Sequence, residues 1–426
     1  MTDEPLRIAL LTYKGNPFCG GQGVYVRNLS RELVRLGHRV DVLAGQPYPI
    51  LDDGVSLVPV PSLDLYREPD PFRMPRLREY RDWIDVLEVA HMMTAGFPEP
   101  LTFSLRARRL LASHRARYDV VHDNQSLGYG LLDLPRLGLP LVTTIHHPIQ
   151  IDRALELASA TGFRRVSLRR WYGFTTMQRR VAGRLRDVIT VSESSRAEIV
   201  RHLGVPADRI RIVPVGTDAE LFSPDPGVAR IPGRVVTTAS ADVPLKGLLP
   251  LVEAIAKVRT ERPAELVVVG SVRAGGPVAE LVERYSLGDA VRFTGRLSHD
   301  ELVHELRSAE VAVVPSLFEG FSLPVIEAMA CATPVVATTA GALPEVAGAD
   351  GRTALLVPPG DAQALAGAIS RALAEPTLRA SLGAAGRERV VTRFTWRAAA
   401  ARTVEAYRDA IAGVRHQADR TEDLAC

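Results

Sequence analysis

Cysteine is scarce in this sequence, and long apolar runs do not occur. Only three cysteines, Cys19, Cys331 and Cys426, occur among 426 residues, and they lack the spacing of metal ligands. Such an odd, scattered set excludes a disulfide framework and is typical of reduced thiols. No run approaches the roughly 18 apolar residues of a membrane span, and the first residues lack the basic and apolar regions of a signal peptide. We therefore expect a cytoplasmic protein.

A strong excess of charge is lacking as well. The formal net charge is only +3 at pH 7, which argues against a general nucleic-acid binder. Lysine occurs three times, as Lys14, Lys246 and Lys257, so arginine supplies the remaining basic charge and a lysine within a motif is notable. Hydrophobic residues make up 46% of the chain and charged residues 24%, which is typical of a globular protein, and the length predicts two or three domains.

The most informative stretch is residues 311–330. It opens with a short apolar β-branched run, which predicts a strand buried on both faces. A Glu-Gly-Phe-Ser turn follows, and Pro324 fits the first turn of a helix. The turn thus lies at the carboxyl end of a strand, where open parallel sheets bind ligands. There the N–H groups of Phe321, Ser322 and Leu323 can hold an anionic group.

Two carboxylates flank this turn. Glu319 and Glu327 are separated by seven residues. A carboxylate is a good acceptor for paired sugar hydroxyls, so the arrangement places hydroxyl acceptors on either side of an anion site. This describes a site for a nucleotide sugar, and the alternative is a pair of capping carboxylates on an ordinary turn.

Together with residues 334–345, this pattern resembles the Glu-x7-Glu motif of retaining GT-B glycosyltransferases of family 4. The resemblance implies that Glu319 contacts the transferred sugar and that Glu327 contacts the ribose of the nucleotide. It also implies that the backbone N–H groups of residues 321–323 contact the donor phosphate.

Three basic residues extend the donor site that the resemblance implies. Residues 239–247 align with the family segment Gly-Arg-x4-Lys-Gly, so Lys246 matches the phosphate-binding lysine, whereas Ala241 replaces the arginine. Arg296 stands where the backbone meets the nucleobase in the family. We expect Arg273, in the loop after a predicted strand, to supply part of the missing positive charge.

The chain begins with a Rossmann-like unit. Residues 7–12 and 39–44 are predicted strands, and a Gly-rich loop and a helix over 24–36 connect them. The glycine spacing is not that of a dinucleotide fingerprint, so a plain tight turn is one interpretation. In the family this loop lies over the cleft near the donor phosphate, which makes Gly21 a candidate donor-binding residue.

A histidine pair follows the predicted strand 141–145. The Thr-x-His pattern of the family fits His146, and it implies contact with the transferred sugar or a place at the reaction centre. His147 is the less suitable candidate. A structural histidine is the alternative, and a metal ligand is a poorer interpretation because no third ligand stands nearby.

Other parts of the first half are less regular. Residues 55–60 and 118–123 are predicted strands, and 128–137 a predicted helix. Residues 61–100 are rich in proline, arginine and aromatics and are predicted to be irregular, either shaping an acceptor pocket or packing on the surface.

Residues 164–186 carry eight arginines and no acidic residue, with Trp171, Tyr172 and Phe174 interleaved. At helical spacing this predicts a basic face beside an aromatic one. Such a face can contact an anionic membrane surface, here the inner face, or bind an anionic or lipid-linked acceptor. A solvated helix with its apolar side in the core is the alternative.

The second half alternates strands with helices. Strands are predicted at 234–238, 265–270, 291–294, 311–314, 335–337 and 354–357, with helices such as 246–258 and 299–307 between them. This alternation predicts a parallel sheet covered on both faces. The resemblance implies the GT-B architecture, an α/β fold of two Rossmann-like domains whose parallel sheets face each other across a cleft. We place an N-terminal acceptor-side domain at 1–220, a nucleotide-sugar-binding domain at 221–394, a helix returning to the first domain at 395–414, and a polar, disordered tail at 415–426.

The resemblance thus implies a retaining glycosyltransferase that moves a hexosyl group from a nucleotide diphosphate sugar to a hydroxyl of a glycan, a glycolipid or a small molecule. The predicted catalytic residues are His146, Glu319 and Lys246, and the predicted donor-binding residues are Gly21, Arg273, Arg296, Phe321, Ser322, Leu323 and Glu327. No cofactor is expected because the nucleotide sugar is a substrate, and no metal because Asp-x-Asp does not occur. The alternative, based on Ala241, is a GT-B scaffold that binds a nucleotide sugar without transfer and acts as a partner or regulator.

Overall fold

The computed structural model describes residues 4–15, 21–67, 69–239 and 243–423. The chain divides into two compact units. The first unit comprises Met1–Val191, Ser195–Val213 and Ala399–Cys426, and the second comprises Ser192–Ser194 and Pro214–Ala398. In the described ranges, no helix is both long enough and apolar enough to cross a membrane.

The strands of the first unit are β1 (Arg7–Thr12), β2 (Arg39–Ala44), β3 (Ser56–Pro59), β4 (Val120–Asn124), β5 (Leu141–Thr144), β6 (Asp187–Thr190) and β7 (Ile210–Ile212). Its helices before the second unit are α1 (Gly21–Arg35), α2 (Trp83–Met93), α3 (Glu99–Ser113), α4 (Gln150–Ser159), α5 (Gly162–Trp171), α6 (Phe174–Ala182) and α7 (Glu193–Leu203).

The strands of the second unit are β8 (Ile231–Thr238), β9 (Glu265–Val269), β10 (Val291–Phe293), β11 (Ala309–Val314), β12 (Val335–Thr338) and β13 (Leu355–Val357). The helices that follow in the chain are α8 (Leu248–Val258), α9 (Pro277–Arg284), α10 (His299–Ser308), α11 (Leu323–Ala330), α12 (Leu343–Ala347), α13 (Ala362–Ala374), α14 (Pro376–Arg393) and α15 (Trp396–Asp423).

Both sheets are parallel and doubly wound. The first has the strand order β3-β2-β1-β4-β5-β6-β7, and the second has the order β10-β9-β8-β11-β12-β13. The order reverses between β1 and β4 and between β8 and β11. Doubly wound sheets bind ligands at the carboxyl ends of the strands beside such a reversal. The topology confirms the prediction of two Rossmann-like domains.

The central strands are buried on both faces, as their sequences predicted. In β1, residues 8–11 are all apolar and fully buried, and in β11 the residues 311–314 are apolar and at most 5% exposed. Helices on both sides exclude water from such strands, which is why they are apolar runs without alternation. Each unit has its own large hydrophobic cluster.

Residues 61–100 were expected to be irregular, and this prediction is wrong in part. The segment contains α2, and Asp82 caps the amino end of α2 by accepting hydrogen bonds from backbone N–H groups. The buried face of α2 carries Asp85 and Glu88 among its apolar residues, and Arg106 of α3 bonds to both carboxylates. These buried charges interrupt the apolar periodicity that would have indicated a helix.

Two further predictions are corrected. Residues 128–137 form two short 3-10 helices, Tyr129–Asp133 and Pro135–Leu137, in place of one α-helix. Pro135 has no N–H to continue the hydrogen-bond ladder, which separates the two turns. The expected disordered tail is wrong for residues 415–423, because α15 continues to Asp423.

Candidate functional site

In the second unit, the turn after β11 leads directly into α11. Ser322 is the N-cap of this helix and has a left-handed backbone, with φ at +99°. A left-handed serine is uncommon and marks a turn that its surroundings hold in place. Phe321 beside it is buried, and its ring contacts that of Phe394 at 5.7 Å between centroids. The predicted order of strand, tight turn and helix is confirmed, with Pro324 in the first turn of the helix.

The hydroxyl of Ser322 is unusual for a buried group. Its Oγ is buried and has no hydrogen-bond partner within the described ranges. Most buried polar atoms are paired, so an unpaired one requires an explanation. Here the hydroxyl lies at the amino end of α11, where unpaired backbone N–H groups favour an anion. The turn can therefore offer a side-chain donor together with backbone donors.

Glu319 and Lys246 form the polar centre of this edge. Lys246 Nζ lies 2.7 Å from Glu319 Oε1, and Ser316 Oγ donates to the same oxygen at 2.8 Å. The side chain of Lys246 is 35% exposed and that of Glu319 is 11% exposed. Because both bonds converge on Oε1, the second carboxylate oxygen can accept hydroxyls of a ligand. Ser316 was not identified from the sequence, although it stands in the same motif.

Lys246 is held by a tight turn. A 3-10 helix, Pro244–Lys246, ends at Gly247, whose φ is +69°. A Cβ at Gly247 would lie 1.9 Å from the carbonyl oxygen of Pro315, so only glycine fits against the end of β11. The α-helix begins at Leu248, two residues later than predicted. The glycine thus fixes the lysine beside the Glu319 turn.

A second glycine supports Glu319 from the other side. Gly341 has a φ of +57°, and a Cβ there would lie 2.2 Å from the carbonyl oxygen of Glu319. The next residue, Ala342, donates its backbone N–H to that oxygen at 2.9 Å. The stretch 334–345, which carried part of the family resemblance, therefore includes the backbone that positions the carboxylate.

Glu327 lies on α11 and is partly buried. Burial raises the pKa of its carboxyl group from 4.5 to about 7. Among the described residues no hydrogen-bond or ion-pair partner offsets this burial, so the carboxyl group stays protonated up to near-neutral pH. A ligand hydroxyl that bonds to the carboxylate would favour its ionised form.

The other predicted donor residues of the second unit lie on the same edge of its sheet. Arg273 follows β9 and is exposed, and Arg296 follows β10. Leu323 is the first residue of α11. The structure therefore brings Lys246 and Glu319 into contact, whereas the two arginines lie on loops of neighbouring strands. Ala241 lies outside the described residues.

In the first unit, His146 follows the carboxyl end of β5. Its Nε2 lies 2.8 Å from Asn124 Oδ1, and its backbone N–H donates to Gln125 Oε1 at 2.6 Å. Burial, with a smaller effect of His147, lowers the pKa of His146 to about 3, so the imidazole is neutral. Because an amide oxygen only accepts hydrogen bonds, Nε2 carries the proton and Nδ1 has a lone pair for a ligand hydroxyl.

A buried polar network contacts the His146 ring through Tyr25. His122 Nδ1 lies 2.6 Å from the Tyr407 hydroxyl, and His122 Nε2 lies 2.7 Å from Thr144 Oγ1. The Tyr25 hydroxyl lies 3.0 Å from the same Thr144 oxygen, and its ring meets the His146 ring edge to face at 4.7 Å. His122 and Tyr407 were not identified from the sequence, in which they are 285 residues apart.

Gly21 is the first residue of α1, and the preceding residues 16–20 of the Gly-rich loop lie outside the described residues. The backbone near it contacts the His146 region, since Asn124 Nδ2 donates to the carbonyl oxygen of Gln22 at 3.5 Å. His147 lies 2.8 Å from Asp152 of α4 through its Nε2. No group of three acidic, histidine or cysteine side chains in the described part of the chain could hold a metal ion.

The basic segment 164–186 includes most of two helices, α5 and α6. Tyr172 is buried, and Trp171 and Phe174 each contact Phe97.

Comparisons with known proteins agree with this architecture. A family model described as Glycosyl transferases group 1 matches residues 232–375, and one described as Glycosyltransferase Family 4 matches residues 19–221. The chain is 52% identical to an MMP alpha-(1->4)-mannosyltransferase of Mycolicibacterium hassiacum, over 96% of this chain and 99% of that protein. It is 30% identical to a D-inositol 3-phosphate glycosyltransferase of Streptomyces bingchenggensis, over 97% of this chain and 91% of that protein.

Solved structures show the same fold. Sucrose-phosphate synthase from Thermosynechococcus elongatus is 26% identical, with a TM-score of 0.70 over 95% of this chain and 99% of that chain. The Anabaena protein Alr3699/HepE, solved in complex with UDP, is 18% identical, with a TM-score of 0.67 over 95% of this chain and 100% of that chain.

The two doubly wound domains and these similarities define a glycosyltransferase of the GT-B fold. The chain belongs to glycosyltransferase family 4. This confirms the family resemblance found in the sequence, and the alternative of a scaffold without transfer activity is not favoured.

Proposed function

We propose that this glycosyltransferase moves a mannosyl group from a nucleoside diphosphate mannose to a hydroxyl of a carbohydrate acceptor, with retention of the anomeric configuration and formation of an α-(1→4) linkage. The sugar and the linkage are proposed from the 52% identity to the mannosyltransferase of that name, which extends over 96% of this chain. The nucleotide donor is proposed from the chemistry of the second unit.

The observation that carries the donor proposal is the contact between Lys246 and Glu319 beside the amino end of α11. A lysine ammonium and a helix N-terminus together suit a diphosphate. The second carboxylate oxygen of Glu319 suits sugar hydroxyls, and the carboxyl group of Glu327 suits the paired hydroxyls of a ribose. We propose that Arg273 adds positive charge to the diphosphate and that the backbone at Arg296 meets the base.

The proposed reaction exchanges one bond at the anomeric carbon for another. The bond from C1 to the diphosphate oxygen breaks, and the acceptor oxygen bonds to C1 from the same face. The acceptor proton passes to the departing diphosphate oxygen, so no protein base is needed. Lys246 and the N–H groups of residues 321–323 stabilise the charge that develops on the leaving group.

His146 acts in this proposal as a positioning group for the sugar. Its Nδ1 accepts a hydrogen bond from a sugar hydroxyl while Asn124 fixes the opposite side of the ring. Because the pKa of His146 is lowered to about 3, the ring remains an acceptor throughout the neutral range. Orientation of this kind lowers the entropic part of the barrier.

The test is a transfer assay with purified protein, GDP-mannose or UDP-glucose as donor, and α-(1→4)-linked mannotetraose as acceptor. We expect transfer from the mannose donor that persists in EDTA, and an α-linked product in the anomeric region of the NMR spectrum. Lys246→Ala should remove nearly all activity, whereas Lys257→Ala, a change of the same kind far from the turn, serves as the control. A β-linked product would refute retention, and absence of transfer from the mannose donor would refute the proposed donor.

A further inference from the structure

Five aromatic side chains form a continuous group in the first unit, which we call the aromatic wall: Tyr66, Phe72, Phe97, Trp171 and Phe174. Phe97 lies at the centre, with ring centroids 5.6 Å from Tyr66, 5.0 Å from Trp171 and 5.3 Å from Phe174. Phe72 contacts Tyr66 and Trp171 and is 59% exposed. The other four are partly exposed. The wall is therefore a surface feature and not part of the closed core.

An ion pair lies against this wall. Lys14 Nζ is 5.8 Å from the ring centroid of Tyr66 and 5.6 Å from that of Phe97, within the range of a cation–π contact. The same nitrogen lies 3.0 Å from Glu99 Oε2. The side chain of Lys14 is 37% exposed and that of Glu99 is 12% exposed, so the ammonium reaches solvent. Lys14 is the single lysine of the first unit's sequence, and the proposed reaction gives it no role.

The place of this group in the fold favours ligand binding. Lys14 stands two residues after the end of β1, on the carboxyl edge of the first sheet and beside the reversal of strand order. His146 follows β5 on the same edge, and only β4 separates the two strands. Two strand spacings correspond to about 10 Å. The wall thus lies near the proposed reaction centre but not in it.

The chemistry of the group selects the kind of ligand. Exposed aromatic faces bind the apolar C–H face of a pyranose, and a neighbouring carboxylate and ammonium bind its hydroxyls. The charges of Lys14 and Glu99 offset each other, so the group has no net charge to attract an anion. Burial raises the pKa of the Glu99 carboxyl group to about 7, so the pair is neutral above about pH 7 and carries a net positive charge below it.

We propose that the aromatic wall and the Lys14–Glu99 pair form a subsite for the acceptor, and that this subsite binds a neutral pyranose residue of a glycan chain. It holds a residue adjacent to the one that receives the new sugar. The proposal rests on the proposed function for the identity of the acceptor. Of the two interpretations of residues 61–100, this proposal favours an acceptor pocket, since Tyr66, Phe72 and Phe97 come from that segment.

The first experiment measures binding of α-(1→4)-linked mannotetraose by calorimetry without any donor. The variants are Phe72→Ala, at a position that is 59% exposed, and Lys14→Met, which keeps most of the side-chain stem. Phe163→Ala and Lys257→Met are the matched controls, because Phe163 is 86% exposed on α5 and outside the wall. We expect the two wall variants to bind the tetraose about threefold to tenfold more weakly than the wild type does. The two controls should bind it with unchanged affinity.

Tryptophan fluorescence gives a second readout, because Trp171 is one of three tryptophans in the chain. Binding of the tetraose should change the emission, and Trp171→Phe should remove this response while calorimetry still detects binding. In the transfer assay, Phe72→Ala should raise the KM for the tetraose by the same factor and leave the donor Kd unchanged.

The outcomes separate this proposal from the proposed function. If no donor supports transfer but Phe72→Ala and Lys14→Met still weaken tetraose binding, the subsite stands and the proposed function fails. If the tetraose does not bind the wild type, or binds both wall variants as tightly as the wild type, the subsite is refuted. It is also refuted if these variants leave tetraose binding intact but weaken binding of D-myo-inositol 3-phosphate or of vesicles rich in phosphatidylglycerol.

Discussion

The pKa of Glu327 gives a prediction in which donor binding and protein stability respond to pH in opposite directions. Its carboxyl group titrates near pH 7 in the folded protein and near 4.5 when unburied. If the ribose of the donor bonds to the carboxylate, binding below pH 7 must first remove a proton. Donor affinity should therefore fall by up to a factor of ten per pH unit below pH 7.

The stability of the free protein should change with the opposite sign. Between pH 4.5 and about 7, folded Glu327 holds a proton that the unfolded chain has released, so the free energy of unfolding falls as the pH rises through this window. The loss is at most about 3 kcal/mol, and less to the extent that the partly exposed carboxyl group is solvated. Glu327→Gln removes this titration from both measurements.

The assay is calorimetry with an intact nucleoside diphosphate sugar at several pH values. A free nucleoside diphosphate is unsuitable because a terminal phosphate titrates near pH 6. We expect the wild type to bind about tenfold more weakly at pH 6 than at pH 8, and Glu327→Gln to bind weakly with a nearly flat profile. Thermal unfolding of both proteins without ligand supplies the stability difference. A flat wild-type profile, or an equal slope in the variant, would refute the role of this carboxylate.

Three further changes test the second unit. Glu319→Gln should lower kcat by about a hundredfold with little effect on the Kd of a nucleoside diphosphate, because its proposed partner is the sugar. A loss of nucleoside diphosphate affinity equal to that of Glu327→Gln would contradict this assignment. Lys246→Ala should raise the Kd of the nucleoside diphosphate by roughly tenfold to a hundredfold, which corresponds to the loss of one charge-assisted hydrogen bond. If calorimetry shows an unchanged affinity, the diphosphate binds elsewhere. Gly247→Ala should lower the free energy of unfolding by more than about 2 kcal/mol, through its φ and the contact with Pro315. Gly351→Ala is the control, because Gly351 has a φ of +70° but no atom near its would-be Cβ, so the change should lower the free energy of unfolding only through backbone strain. If denaturant titrations give equal losses of stability for the two variants, the contact with Pro315 does not contribute.

Sequence patterns predicted the parallel sheets well because buried parallel strands are continuous apolar runs. The run at 311–314 and the turn after it also indicated the candidate site, since tight turns and helix starts have local residue preferences. Local preference fails where polar residues are buried. Helix α2 was missed because Asp85 and Glu88 lie on its buried face, paired with Arg106.

Contacts between distant residues were the second limit. Lys246 and Glu319 were each selected from a motif, but nothing in the sequence showed that the two side chains meet across 73 residues. The same holds for His122 and Tyr407, neither of which stands in a motif. Such pairs depend on the order in which strands join a sheet, and local patterns do not carry that order.

The return of α15 to the first unit has a consequence for synthesis on the ribosome. Residues 214–398 form the second unit almost as one uninterrupted segment, whereas the first unit needs residues from both ends of the chain. Tyr407 is fully buried and bonds to His122, so this part of the first core lacks a partner until the last helix has emerged. We therefore expect the second unit to complete its fold before the first unit does, although it is synthesised later. The incompletely folded first unit is then the species that chaperones bind during synthesis.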